Sequence, residues 1–109
     1  MIAAHPFRRD VWGNGSPDLA QACAKPLLQL VDAVEVFNGM ATRQEVAFGC
    51  QVVERLGLRA VGGSDSHAPH SLGQCVTVFE RGLATEEELI AELKAGRFKA
   101  AHRLLEMVY

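Results

Sequence analysis

Apolar and polar positions along the chain alternate between two periods, and the switches between them mark out the elements. Met1 to Ala4 is a short apolar run that stops at His5-Pro6. Pro6 offers no further ladder donor and biases His5 to extended backbone, so His5 is placed at a strand end. Arg9 to Asp18 stacks turn formers around a single large apolar residue, Trp12. It reads as a loop that delivers Ser16 as N-cap and Pro17 as first residue of a helix. Leu19, Cys23, Leu27 and Leu30 follow at helical spacing, with a kink or break expected at Pro26. Val31 to Asn38 alternates as a strand, unusual only in carrying Glu35.

Thr42 to Leu56 carries the clearest helical stripe, Val46, Cys50, Val53 and Leu56, with Glu45 expected on the polar face and Gly57 as the stop. Leu58 to Gly63 reads as the next strand. The strand–helix–strand order from Val31 to Gly63 therefore predicts a βαβ unit with parallel strands. A further strand is expected over Gln74 to Glu80. Thr85 and Glu88 then form a capping box ahead of a helix whose stripe is Leu89, Ile90 and Leu93. Gly96 ends it, Arg97 to Ala101 is a short extended piece, and the tail from His102 to Tyr109 is helical or extended.

Size and composition narrow the classes. With 109 residues the chain has room for one domain, 1–109, and 49% hydrophobic content with a net charge of −2 is ordinary for a globular protein. There is no basic stripe to track a nucleic acid, and no apolar run approaches the ~20 residues that span a bilayer. No signal-peptide pattern precedes the first strand, so the cytoplasm is the expected compartment. Cys23, Cys50 and Cys75 are odd in number, widely spaced and without a CxxC, which argues against a disulfide framework and a zinc knuckle.

Chemistry collects at the strand ends. The run Val61-Gly62-Gly63-Ser64-Asp65-Ser66-His67 sets an Asp and a His two residues apart at a strand's C-terminal mouth. If the strand continued, its period of two would turn both side chains the same way. A carboxylate beside an imidazole suits a divalent metal. The alternative is that Asp65 caps the next element and His67 lies in an exposed turn. His5 after the first strand, and Glu35 and Asn38 on the second, join Asp65 and His67 after the third. In a parallel sheet these ends converge.

The motifs Ala-His-Pro-Phe-Arg at 4–8, Val-Asp-Ala-Val-Glu-Val-Phe-Asn-Gly at 31–39 and Val-Gly-Gly-Ser-Asp-Ser-His at 61–67 resemble the C-terminal half of a PHP domain, the polymerase and histidinol phosphatase superfamily. The resemblance runs from Ala3 to about Phe98. It implies an α/β fold, part of a distorted (β/α)7 TIM-like barrel with about three βα units and parallel strands. It also implies a metal-dependent phosphoesterase, or its C-terminal portion, acting through a metal-activated water. By position, His5, Asp65 and His67 match metal ligands for Zn, Mn or Fe, with Asp65 and His67 the catalytic pair. Arg8 and His70 fall where substrate would be held, while Glu35 and Asn38 match a supporting strand. The expected substrate is a phosphorylated small molecule or nucleotide.

The family's opening His-x-His pair is absent from these residues. The expected partner is therefore a second copy of the chain or a complementing N-terminal half. The alternative is a non-catalytic PHP remnant that oligomerises or binds metal.

Overall fold

The computed structural model describes residues 1–8 and 17–109. The expectations for Trp12 and for Ser16 as a helix cap lie outside the described residues. Three strands, β1 (Ile2–Ala3), β2 (Ala33–Asn38) and β3 (Arg59–Gly63), form a parallel sheet in that order. A second, antiparallel sheet contains β4 (Cys75–Phe79), β5 (Phe98–His102) and β6 (Met107–Val108). The helices are α1 (Leu19–Cys23), α2 (Arg43–Leu56) and α3 (Glu86–Ala95), with 3-10 turns at Pro26–Gln29 and Pro69–Ser71.

The βαβ unit formed by β2, α2 and β3 follows the hydrophobic pattern. Thr42 and Glu45 close a reciprocal capping box on α2, and Gly57 ends it in the left-handed region at φ 66°. Glu45 is buried, contrary to the polar face expected for it, because its carboxylate accepts from the Thr42 amide at 2.6 Å. The inward stripe is correspondingly turned toward Val46, Gly49, Val52 and Val53, while Cys50 is half-buried. Replacing the cap, Thr42→Ala, is expected to lower stability by about 1 kcal/mol, read as a shift in the urea midpoint without a change in slope.

Pro26 breaks the preceding helix outright. Helix α1 ends at Cys23, Lys25 is extended, and a separate 3-10 turn begins at Pro26. A proline forces its predecessor out of the α region and removes one helical hydrogen bond. The cap of α1 is Asp18, whose side chain accepts from the Gln21 amide at 3.0 Å.

The C-terminal third departs from the repeating parallel pattern. Strands β4 and β5 flank a helix, yet they pair antiparallel, with Phe79 opposite Phe98. Helix α3 is therefore an excursion between the two arms of a hairpin, and a TIM-like barrel is not what the described residues form. Glu92, only 1% exposed, ties the two ends of this excursion together. It draws Arg81 just past β4 and Arg97 just before β5 onto one carboxylate, so both ends of the excursion stay at the same edge. Leu89 and Ile90, expected to face the core, are exposed. The tail turns over residues 103–106 and ends in β6, paired to β5, so it is not helical.

Two apolar clusters hold the layers together. The larger packs α2 against one face of the parallel sheet through Val34, Val36, Val46, Val52 and Val53, joined by an edge-on contact of Phe7 and Phe48 with centroids 5.8 Å apart. Each fully buried valine contributes on the order of 1.5–3 kcal/mol. On the other face, Ala33, Val61 and Phe98 pack with Phe79 and Leu93, joining the two sheets. The sheets meet closely at Gly62, whose amide and carbonyl both bond the Thr77 hydroxyl at 3.0 Å. A Cβ on Gly62 would lie 2.5 Å from the Val76 carbonyl oxygen.

Candidate functional site at the mouth of the parallel sheet

Because β1, β2 and β3 run parallel, the residues just past them share one end of the sheet. His5 follows β1, Asn38 ends β2, and Asp65 follows β3. The link between them is Arg8. Its Nη2 donates to the Asn38 Oδ1 and to the Asp65 Oδ2, each at 3.1 Å. Asn38, 1% exposed, is the fixed point of this group. Its Oδ1 also accepts from the Met40 amide at 2.9 Å, and its Nδ2 donates to the Glu35 Oε2 at 3.1 Å. The same Glu35 oxygen accepts from the His5 amide at 3.1 Å. A buried side-chain amide with both ends engaged holds its neighbours in one geometry.

Backbone at both rims is unusual. His5 has φ 28° and Asp65 φ 47°, in the left-handed region that non-glycine residues rarely enter. Strand β3 ends at Gly63, so a turn rather than continued strand alternation places Asp65 and His67. Ser64 and Ser66 fix that turn. The Ser64 hydroxyl accepts from the Gly73 amide at 2.7 Å and donates to the Cys75 carbonyl at 3.2 Å. Ser66 donates to the Ala68 carbonyl at 2.7 Å and meets the Ser71 hydroxyl at 2.8 Å. Sequence reasoning gave these two serines no role, although small hydroxyl residues alternating with Asp65 and His67 are what such a turn uses.

Asp65 does not cap the 3-10 turn that follows, Pro69–Ser71, whose N-cap position is Ala68 with no side-chain cap. Its carboxyl is held below the usual carboxylate range by the Arg8 hydrogen bond first and by Asn38 next, against partial desolvation. It is a carboxylate at neutral pH. His67 is exposed, and its Nδ1 lies 2.8 Å from the Asp65 carbonyl oxygen. A carbonyl can only accept, so Nδ1 donates this hydrogen bond, and among the described residues Nε2 has no hydrogen-bond partner. His70 lies on the exposed Pro69–Ser71 turn, and among the described residues no hydrogen bond or ion pair ties it to the mouth. A cavity of about 10 Å³, room for a single water, is bounded by His5, Arg8, Glu35 and Asn38.

A divalent metal demands three or more donors converging on one point. Among the described residues no group of three His, Cys, Asp or Glu side chains is placed to hold one. The Asp65 Oδ2 is already taken by Arg8. In this arrangement the donors present do not fit a metal centre. Cys50 and Cys75 disfavour the thiolate form as well. Burial pushes the Cys75 thiol up to about 11 and raises that of Cys50.

Residues 48–98 match the model of a family described as PHP-associated, in keeping with the C-terminal part of a PHP domain. The match takes in most of α2, β3, the Asp65–His67 turn, β4 and α3. His5, Arg8, Glu35 and Asn38 precede it. Comparison with curated proteins and with solved structures gave no match. No helix among the described residues is long and apolar enough to cross a membrane.

Proposed function

We propose, from the PHP-associated character of residues 48–98, that this chain supplies the closing part of a metal-dependent phosphoesterase site. The observation that carries the reading is the convergence of Arg8, Asn38 and Asp65 on one sheet end, beside an open His67 Nε2. Phosphoryl transfer needs positive charge aimed at the phosphoryl oxygens and a held nucleophile. The Arg8 guanidinium is half-exposed, with its side chain 41% accessible, and is suited to a substrate phosphate. His5, Asp65 and His67 would contribute to a Zn, Mn or Fe centre completed by donors from outside this set, and such a centre would supply an activated water. Asn38 and Glu35 fix the positions of Arg8 and His5.

The open edge fits the same reading. Among the described residues β1 pairs with β2 alone, and Met1 and Ile2 are exposed beside it. Either a second copy or a complementing strand-bearing half can add to such an edge.

The test is hydrolysis of a generic phosphate monoester by the purified chain with Mn²⁺ or Zn²⁺, alone and mixed with a PHP N-terminal segment carrying the His-x-His pair. Chelator-sensitive turnover that falls ~100-fold or more in His67→Ala is the expected result. Turnover in neither mixture overturns it and leaves the non-catalytic remnant.

A further inference from the structure

We propose that the cleft between the parallel sheet and α3 binds a small primary ammonium carried on an apolar body, with Glu35 as its anchor. The cleft lies on the face of the sheet opposite α2, and binding there requires neither a metal nor hydrolysis. Its walls are Ile2, Ala4, Val61, Phe79, Leu89 and Leu93, around about 280 Å³ of space. An apolar cavity of about 150 Å³ takes a benzene, so this one has room for a ring with a short chain. Two lining side chains carry polar atoms, Thr77 and Glu35. The Thr77 hydroxyl is already engaged by the Gly62 amide and carbonyl.

Glu35 is only half engaged. Its Oε2 accepts from the His5 amide and the Asn38 Nδ2, and among the described residues its Oε1 has no hydrogen-bond partner. A Cβ on Gly63 would overlap that oxygen. Gly63 and Val61 stand two apart on β3, so such a Cβ would share the face of Val61, a wall of the cleft. The open oxygen therefore lies on the cleft's side of the sheet. No Lys, Arg or His lines the cleft, so a cation with an apolar body complements both its charge and its walls. The geometry also selects the kind of cation. A guanidinium fork binds a carboxylate through two oxygens, and Oε2 already holds two donors. A single open oxygen suits an ammonium, which acts as a point charge. The two bonds to Oε2 hold the carboxylate in place, so little has to be ordered on binding.

Titration of the full chain with phenethylammonium, followed through its backbone amide NMR signals, tests the site. Phenethyl alcohol and phenylacetate keep the ring and change the charge. Phenethylammonium is expected to shift Val61, Thr77 and Leu93 saturably. It should bind about tenfold more tightly than the alcohol, the scale of one charge-assisted hydrogen bond. Phenylacetate is expected not to bind. In Glu35→Gln the ammonium falls to the affinity of the alcohol, whose own affinity is unchanged, whereas a merely structural loss would weaken both. Leu89→Trp fills the cleft from α3, away from the bonds of Glu35, and weakens both ligands. Equal affinities for ammonium and alcohol in the wild type, or shifts confined to residues outside the cleft, overturn the proposal. A Glu35→Gln chain that keeps the full ammonium preference overturns it as well. If Glu35→Gln loses the native amide spectrum, the wild-type comparison and Leu89→Trp decide.

Discussion

Gly39→Ala is expected to destabilise the protein by about 1–3 kcal/mol and to open the Arg8–Asp65 contact, although residue 39 touches neither side chain. Gly39 follows β2 directly, and its amide donates to the Gly63 carbonyl at 3.2 Å. A Cβ there would overlap the Ser64 carbonyl oxygen and sit 3.1 Å from the Ser64 carbonyl carbon. Both partners are backbone, so no rotamer change relieves the clash. The relief is a shift of Ser64, which the Gly73 and Cys75 backbones hold through its hydroxyl. Asp65 is the next residue and moves with it. Two readouts follow. The urea midpoint falls, and the Asp65 carboxyl, released from Arg8, titrates closer to the ordinary carboxylate range when followed by carbon-detected NMR. A variant with an unchanged midpoint and an unchanged Asp65 titration refutes the close approach.

Glu92→Gln is expected to be the most damaging single change of a charged residue in the C-terminal third. The Glu92 Oε1 accepts from Arg81 Nε at 2.9 Å and from Arg97 Nη2 at 2.7 Å, and its Oε2 accepts from Arg97 Nε at 2.7 Å. Glutamine offers one acceptor oxygen and no charge, leaving two guanidiniums facing a neutral amide. Breaking a buried pair from one side costs more than the pair itself contributes. Arg81→Ala and Arg97→Ala should each be milder, because one arginine remains on the carboxylate.

The same site sets an acid limit. The two guanidiniums, Arg97 first, lower the Glu92 carboxyl from 4.5 to about 2. Its acidity is depressed in the folded state, so its stabilisation is complete above about 4.5 and is lost as pH falls toward 2. The thermal midpoint of wild type should drop through that window, and that of Glu92→Gln should drop less. Parallel acid profiles for the two proteins would refute the assignment.

The elements whose partners are near in sequence were legible from it. The 3.6-residue stripe, Thr42, Glu45 and Gly57 defined α2, and alternation defined β2 and β3 on either side. A short βαβ crossover then dictates parallel pairing, since only a right-handed return packs the helix on the sheet. It follows that His5, Asn38 and Asp65 lie at one end, and that much of the candidate site needs no coordinates.

What periodicity could not carry was any decision resting on a distant polar contact. Glu92 lies outside the Leu89, Ile90 and Leu93 stripe expected for this helix, yet it is buried where two arginines, 11 residues before it and 5 after it, meet its carboxylate. The β4–α3–β5 stretch repeats the strand–helix–strand order of a parallel unit and folds as an antiparallel pair. A hydrophobic pattern encodes which face is buried, not which neighbouring strand satisfies the backbone. Likewise the sequence placed Arg8 and Asp65 at the same mouth, 57 residues apart. Only the tertiary structure decided that they bind each other, because charge pairing depends on separation in space, and the intervening fold sets that distance.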